Sequence, residues 1–361
     1  MADPTFFLVA GESSGDLHGA ALMHAIRQEC PGAKFYGHGG DRMVVEGLHL
    51  LTHINQLAVM GFSEVLRRLT FFRNLLAETV TWLREHTVDR VILIDYPGFN
   101  LRLARHVADL SLPVTYFILP QVWAWKENRL RILRQFTDQR IAIFPFEPDW
   151  FAARETPVEY VGHPFAEHLQ ETPSSRRPRQ LALLPGSRRQ EIDRHWPLFC
   201  ETVRVIRQSH PDLEAVAVQA PGLTLPAEPG IEIQTSSALD VLRRSRAALV
   251  SSGTVSLEAA VADCPAVVCY RLSTLSWLLA RFLVRVQYAS IVNLIAGSAI
   301  LPEFLQYDMV PRLMARQLIS FLEDTPERRA VLDGYERVRQ ALGEPGIYQR
   351  AARLILEGPV G

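Results

Sequence analysis
The chain has little cysteine, no excess of charge of either sign and no apolar run long enough to cross a bilayer, and each shortage closes off a class of protein. Its four cysteines, Cys30, Cys200, Cys264 and Cys269, are scattered and never paired as CxxC. That excludes a disulfide framework and a cysteine zinc site, and fits core cysteines in a reducing compartment. With 38 Lys and Arg against 39 Asp and Glu, the formal charge is −1. A near-neutral chain is not one that wraps nucleic acid, so no nucleic-acid partner is expected. The opening residues, MADPTFFLVAGESSGD, lack a basic n-region and hold too short an apolar run for a signal peptide, which places the chain in the cytoplasm. Beyond Arg271 an apolar stretch is interrupted by Arg281 and Arg285, while Leu275, Leu278, Leu279, Phe282, Leu283 and Val286 recur at helical spacing. This is an amphipathic helix, suited to a membrane surface or to a core, rather than a transmembrane span.

What is present is the alternation of a parallel α/β protein. At 361 residues, 48% hydrophobic and 21% charged, the chain is globular and long enough for two domains. Residues 247–271, AALVSSGTVSLEAAVADCPAVVCYR, read as strand, tight turn, helix and strand. The helix opening after Ser251-Ser252-Gly253 points free N–H groups at whatever lies above the sheet edge, which suits a phosphate. Glu258, one turn in, can accept from a sugar's hydroxyls, or be a solvated carboxylate on one βαβ unit among several.

The first half repeats this unit. An apolar run at 6–10 ends in Gly11-Glu12-Ser13-Ser14-Gly15-Asp16 before a helical pattern through Leu17, Ala21, Leu22, Ala25 and Ile26. No GxGxxG is present, so a dinucleotide site loses its main support. Ser13, Ser14 and Asp16 are good helix caps. The stripe Val65, Leu66, Leu69, Phe72, Leu75, Leu76 and Val80, with Arg67, Arg68 and Arg73 beside it, predicts a long helix facing a core or lipid. Residues 91–94, Val-Ile-Leu-Ile, predict a strand buried on both faces, and Asp95 at its carboxyl end stands where a general base would be placed, or where a cap for the next helix would be. Trp123 and Trp125 follow the strand at 114–119 and suit packing anchors.

A polar, proline-bearing segment at 171–179 predicts a linker, which divides the chain into 1–168, 180–335 and a helical tail at 336–361. After the strand at 181–184 comes Pro185-Gly186-Ser187-Arg188-Arg189, a glycine turn and an arginine at a helix start, which suits a pyrophosphate with Arg188 as the fixed charge. Pro221, Pro226 and Pro229 exclude a regular helix between two later strands. Residues 290–297 predict a loop bearing one amide, Asn293.

Six stretches, AGESSGD at 10–16, LAVMGFSEVL at 57–66, VWAW at 122–125, PFE at 145–147, LPGSR at 184–188 and SGTVSLE at 252–258, together resemble the lipid-A-disaccharide synthase family, in order and spacing. The resemblance implies a GT-B glycosyltransferase, an α/β architecture of two Rossmann-like domains facing across a cleft, with no metal and no cofactor. It implies transfer of 2,3-diacylglucosamine from its UDP derivative to the 6-hydroxyl of 2,3-diacylglucosamine 1-phosphate with inversion. It also implies peripheral attachment to the cytoplasmic face of the inner membrane and a homodimer with exchanged C-terminal segments. Carried onto this sequence, it makes Asp95 the base and Arg188 the pyrophosphate arginine. Gly186, Ser187, Gly253, Thr254, Glu258 and Asn293 join Arg188 on the donor side, with Glu258 on the ribose, and Glu12, Ser14 and Asp16 lie on the acceptor side. Departures fall at Gly98, where the family has a second acidic residue, at Val292 in place of proline, and at Ser298 in place of arginine. Two other classes remain open: a UDP-sugar 2-epimerase of the same fold, and a membrane-associated binding protein without turnover.

Overall fold
The computed structural model describes residues 3–57, 65–169, 177–274, 277–278 and 284–358, with 65–69 described by backbone alone. Residues 58–64 of the motif at 57–66, residues 171–176 of the linker at 171–179 and most of the amphipathic helix expected at 275–286 therefore lie outside the described residues. Two compact units divide the chain, Met1–Pro164 with Gly346–Gly361, and Phe165–Pro345.

The first unit is built on strands β1 (Thr5–Val9), β2 (Lys34–Gly39), β3 (Leu48–His53), β4 (Arg90–Ile94), β5 (Val114–Phe117), β6 (Gln139–Ala142) and β7 (Glu159–Tyr160). They pair in parallel in the order β3-β2-β1-β4-β5-β6-β7. An unbroken apolar run gives a strand covered on both faces, and every residue of β4 is buried. Helices α1 (Ser13–Glu29), α2 (Val65–Glu85) and α3 (Pro97–Ala108) follow β1, β3 and β4. On α2 the stripe faces the core: Leu75 and Val80 are buried, and Phe72 and Leu76 are half-buried against the same cluster. The chain first builds outward from β1 to β3 and then restarts at β4 on the other side of β1. That reversal opens a crevice beyond the carboxyl ends of β1 and β4.

The second unit repeats the plan with β8 (Gln180–Leu184), β9 (Glu214–Val218), β10 (Ile231–Gln234), β11 (Ala247–Ser251), β12 (Ala266–Tyr270) and β13 (Glu303–Leu305). All are parallel, in the order β10-β9-β8-β11-β12-β13. Its reversal lies between β8 and β11. Its helices include α4 (Arg189–Arg207), α5 (Val255–Val261), α6 (Ile291–Ala296), α7 (Pro311–Leu322) and α8 (Pro326–Ala341), and the three prolines leave β9 and β10 joined without a helix. No helix among the described residues is long and apolar enough to cross a membrane.

Three features differ from the sequence expectations. Strands β3, β7 and β13 escape pattern reading because they are short or carry few buried apolar residues. The residues expected as one tail at 336–361 separate. Tyr335 of α8 donates to the Cys264 carbonyl at 3.1 Å in the second unit. The last helix, α9 (Ile347–Glu357), joins the first unit on α1, where the Tyr348 hydroxyl meets His18 Nδ1 at 2.8 Å and Arg353 meets Glu29 at 2.8 Å. One face of α9, Ile347, Ala351, Ala352 and Ile355, is buried, and an amphipathic helix that short is stable only when packed. Finally, α1 begins after Glu12 with no side-chain cap, so Ser13, Ser14 and Asp16 do not cap it.

Gly37 in β2 has φ +141°, and a Cβ there would stand 1.9 Å from the Leu8 carbonyl oxygen of β1. Gly98 has open space around it. Gly37→Ala should therefore cost about 1–3 kcal/mol, read as a lower urea midpoint, whereas Gly98→Ala should stay within about 0.5 kcal/mol of the parent.

Candidate active site
At the first reversal, the backbone turns through two consecutive left-handed residues, Asp95 (φ 44°) and Tyr96 (φ 47°). Side chains rarely tolerate this, and it persists only where neighbours hold it. Asn100 Nδ2 donates to the carbonyls of Ile94 (3.2 Å) and Asp95 (2.8 Å). The Tyr116 hydroxyl donates to the same Asp95 carbonyl at 2.6 Å, and burial raises that phenol well above its ordinary value, so it stays a donor. The Asp95 carboxyl is half-buried, and burial, then the charge of Glu12, push its pKa up to about 6 against the pull of the Tyr96 N–H. Gly11 is needed by close approach, because a Cβ there would lie 2.2 Å from the Tyr96 ring.

The three residues expected on the acceptor side divide. Glu12 and Ser14 are exposed at the start of α1, and Glu12 is near enough to act on Asp95. Asp16 is buried, and its oxygens accept from the backbone N–H groups of Gly40 (2.7 Å), Met43 (3.1 Å) and Arg42 (3.2 Å). It caps the turn after β2 instead of facing the crevice.

Two separated motifs meet in this unit. The buried Trp123 indole donates to Glu147 Oε1 at 3.0 Å, while Glu147 Oε2 accepts from Phe144 N (3.0 Å) and Ile143 N (3.2 Å). Burial pushes the Glu147 carboxyl up to about 7, with these three bonds pulling back. Trp123 is the packing anchor expected, but Trp125 stands exposed.

At the second reversal, the turns after β8 and β11 come together. Gly186 adopts φ +133°, and the Ser187 N–H donates to Glu191 Oε2 at 3.0 Å. The largely exposed Arg188 reaches the same carboxylate at 3.4 Å, whereas Arg189 pairs with Asp193 at 3.0 Å. A carboxylate therefore rests where the sequence expects a phosphate. Buried His195 ties the turn in place: its Nδ1 lies 2.7 Å from the Pro185 carbonyl, and its Nε2 accepts from the Arg271 N–H at 3.0 Å. Those partners require the neutral ring protonated on Nδ1, and burial lowers its pKa accordingly. No local pattern around His195 or Glu191 announces either role.

Gly253 and Thr254 form the turn into α5, with Gly253 at φ +149° and Thr254 exposed. Glu258 is half-buried, and its carboxyl makes no hydrogen bond among the described residues. Burial pushes it up to about 7, with His168 pulling back. Asn293 lies on α6 and not on the expected loop, and it is fully buried. Its Nδ2 donates to the Leu301 carbonyl (2.9 Å) and Glu303 (2.8 Å), and its Oδ1 accepts from Ile300 N (2.9 Å) and Leu301 N (2.8 Å). Its hydrogen-bonding capacity is spent inside the unit, because α6 must be tied to β13. Val292 is buried beside it, and Ser298 is exposed. No group of three or more His, Cys, Asp or Glu residues that could hold a metal ion occurs among the described residues.

Two parallel sheets of this order belong to the fold shared by GT-B glycosyltransferases and nucleotide-sugar epimerases. A glycosyltransferase of kitacinnamycin superposes with a TM-score of 0.65 at 14% identity, covering 99% of both chains. A UDP-N-acetylglucosamine 2-epimerase structure from Listeria monocytogenes does so at 0.63 and 16%, covering 98% of this chain and 95% of that one. The narrower assignment comes from sequence. The family model described as Lipid-A-disaccharide synthetase matches residues 6–357. The lipid-A-disaccharide synthase of Anaeromyxobacter dehalogenans (strain 2CP-C) is 36% identical over 367 residues, covering 97% of this chain and 96% of its own. That of Myxococcus xanthus (strain DK1622) is 35% identical over 374 residues, covering 98% and 97%. The chain belongs to the lipid-A-disaccharide synthase family and is an enzyme.

The raised Asp95 carboxyl makes stability pH-dependent. The folded chain binds this proton more tightly than the unfolded one, so its stabilising share is full below about pH 4 and is lost as pH rises through about 6. Asp95→Asn should then stabilise the protein by the order of 2 kcal/mol at pH 8 and leave it unchanged near pH 4, as read by urea unfolding at the two pH values.

Proposed function
We propose that the enzyme transfers 2,3-diacylglucosamine from its UDP derivative to the 6-hydroxyl of 2,3-diacylglucosamine 1-phosphate, giving lipid A disaccharide 1-phosphate and UDP with inversion at the anomeric carbon. The observation that carries this reading is Asp95, a half-buried carboxyl on a held backbone with a pKa near 6, at the reversal of a parallel sheet. Such a group is ionised at neutral pH yet more basic than an ordinary carboxylate, as a general base should be. It takes the proton of the acceptor hydroxyl as that oxygen bonds to the anomeric carbon. The bond to the UDP phosphate breaks on the opposite face, and the electron pair leaves with UDP.

The leaving charge falls to Arg188 and to the N–H groups of Gly186, Ser187, Gly253 and Thr254. Pyrophosphate displaces Glu191 from Ser187 and Arg188, which its loose 3.4 Å contact with the arginine permits. Glu258, whose carboxyl makes no hydrogen bond among the described residues, takes the ribose hydroxyls. Asn293 serves indirectly, by tying α6 to β13. Glu12 and Ser14 border the acceptor, and Asp16 supports them from below. A cavity of about 440 Å³ lined by Phe72, Leu76, Phe99, Arg73, Arg102 and Tyr96, the residue that follows Asp95, suits an acyl chain with its polar end at the arginines. Acylated substrates put the enzyme at the cytoplasmic face of the inner membrane as a peripheral protein. In a homodimer with exchanged C-terminal segments, the α9–α1 contacts would pass between chains with the same residues.

Purified protein given the diacylated UDP donor and the monosaccharide 1-phosphate should release UDP and disaccharide, and a wild type that makes neither sinks the reading. Asp95→Asn should lower kcat by about 10²- to 10⁴-fold and abolish the fall in rate below about pH 6. Arg188→Ala should raise the donor KM by roughly tenfold or more. Conversion of UDP-GlcNAc alone would favour the epimerase instead.

A further inference from the structure
The loop after β5 holds two cations that no carboxylate among the described residues neutralises. Lys126 Nζ lies 4.2 Å from the Trp125 ring centroid, and the Arg129 guanidinium carbon lies 5.6 Å from the same centroid. The carboxylate between them in sequence, Glu127, is paired with Arg154 at 2.7 Å. Neither cation has a carboxylate partner among the described residues. Two like charges over one indole repel each other, and the attraction of each for the ring face offsets that only in part.

The loop is built to keep them together. Lys126 sits in the left-handed region at φ 57°, ψ 46°, where an unbranched lysine gains nothing locally. Its carbonyl accepts from Arg129 N at 2.9 Å, which fixes the two side chains on one turn. Three residues earlier, Trp123 is buried on Glu147, so the exposed turn stands on a rigid foot. Burial and the neighbouring Arg129 push the Lys126 ammonium below its ordinary value, a penalty that a bound anion relieves. Arg129 is also near enough to Tyr116 to act on its phenol, and the Tyr116 hydroxyl holds the Asp95 carbonyl at 2.6 Å. The cation pair and Asp95 therefore share the carboxyl end of two adjacent strands, β4 and β5.

We propose that Trp125, Lys126 and Arg129 form the subsite for the phosphate monoester of the acceptor. This rests on the transferase reading, in which Asp95 meets the acceptor's 6-hydroxyl. The phosphate is borne on C1, which shares the ring oxygen with C5, the carrier of the 6-hydroxymethyl group, so its site lies within one sugar width of the base. A dianion suits this pair, with the guanidinium giving a two-pronged contact and the ammonium a point charge. The exposed indole offers an apolar face to the ring between them. A bilayer phosphodiester would satisfy the same cations, and the experiment separates the two.

Acceptor KM is measured for wild type and for the Lys126→Ala/Arg129→Ala double variant, with 2,3-diacylglucosamine 1-phosphate and with the same sugar lacking its phosphate. The expected result is a rise of about 10- to 100-fold for the phosphorylated acceptor in the double variant, an unchanged donor KM, and equally poor use of the unphosphorylated sugar by both proteins. An unchanged acceptor KM, or an equal loss with both acceptors, overturns the proposal. Quenching of the Trp125 fluorescence by glucosamine 1-phosphate, defined against Trp125→Phe, needs no turnover. Saturable quenching that the double variant loses supports the subsite even where the transfer itself fails, and its absence from wild type counts against the subsite alone. Co-sedimentation with vesicles of equal phosphatidylcholine and phosphatidylglycerol is the third measurement. Loss of vesicle binding in the double variant with acceptor KM intact assigns the cations to the bilayer and overturns the proposal.

Discussion
The crossing of two backbones at the end of β1 and β4 is the constraint on which the rest of the first unit depends. Asn100 reaches from the first turn of α3 to the carbonyls of Val9 (3.4 Å), Ile94 (3.2 Å) and Asp95 (2.8 Å), stapling both strand ends. Tyr96 then lies against Gly11 with no room for a side chain. Only a chain held this firmly keeps two left-handed residues in succession.

The two units solve the same topological problem with opposite chemistry. In the first, a half-buried carboxyl near a second carboxylate is held more basic than an ordinary one. In the second, an exposed arginine and a glycine turn share the carboxylate of Glu191. His195 does for the Pro185 turn what Asn100 does for Asp95, fixing backbone from a helix behind it. A raised carboxyl also costs stability above its pKa, so Asp95 is among the places where the fold is under strain.

Much of this architecture was legible in the sequence. Unbroken apolar runs at 91–94 and 247–250 made buried parallel strands, and each glycine-rich turn fell at a strand's carboxyl end because only there must the chain reverse tightly into a helix. The turns after β1, β4, β8 and β11 were therefore readable as candidates. What each polar side chain did there was not. Asp16 and Asn293 look like ligand-facing groups and are instead consumed by backbone partners 24 and 8 residues away. Trp123 and Glu147, read as separate motifs, are one buried contact across 24 residues.

The sequence by itself determined the buried parallel strands, the turns and the family, because apolar periodicity and short motifs are local and survive without coordinates. Only the tertiary structure decided which carboxyls are free. Hydrogen-bond satisfaction depends on groups brought together by sheet order, and nothing in the chain's linear pattern tells Glu258, whose carboxyl accepts no hydrogen bond among the described residues, or Asp95, which takes the Tyr96 N–H, from Asp16 and Glu147, which accept three each.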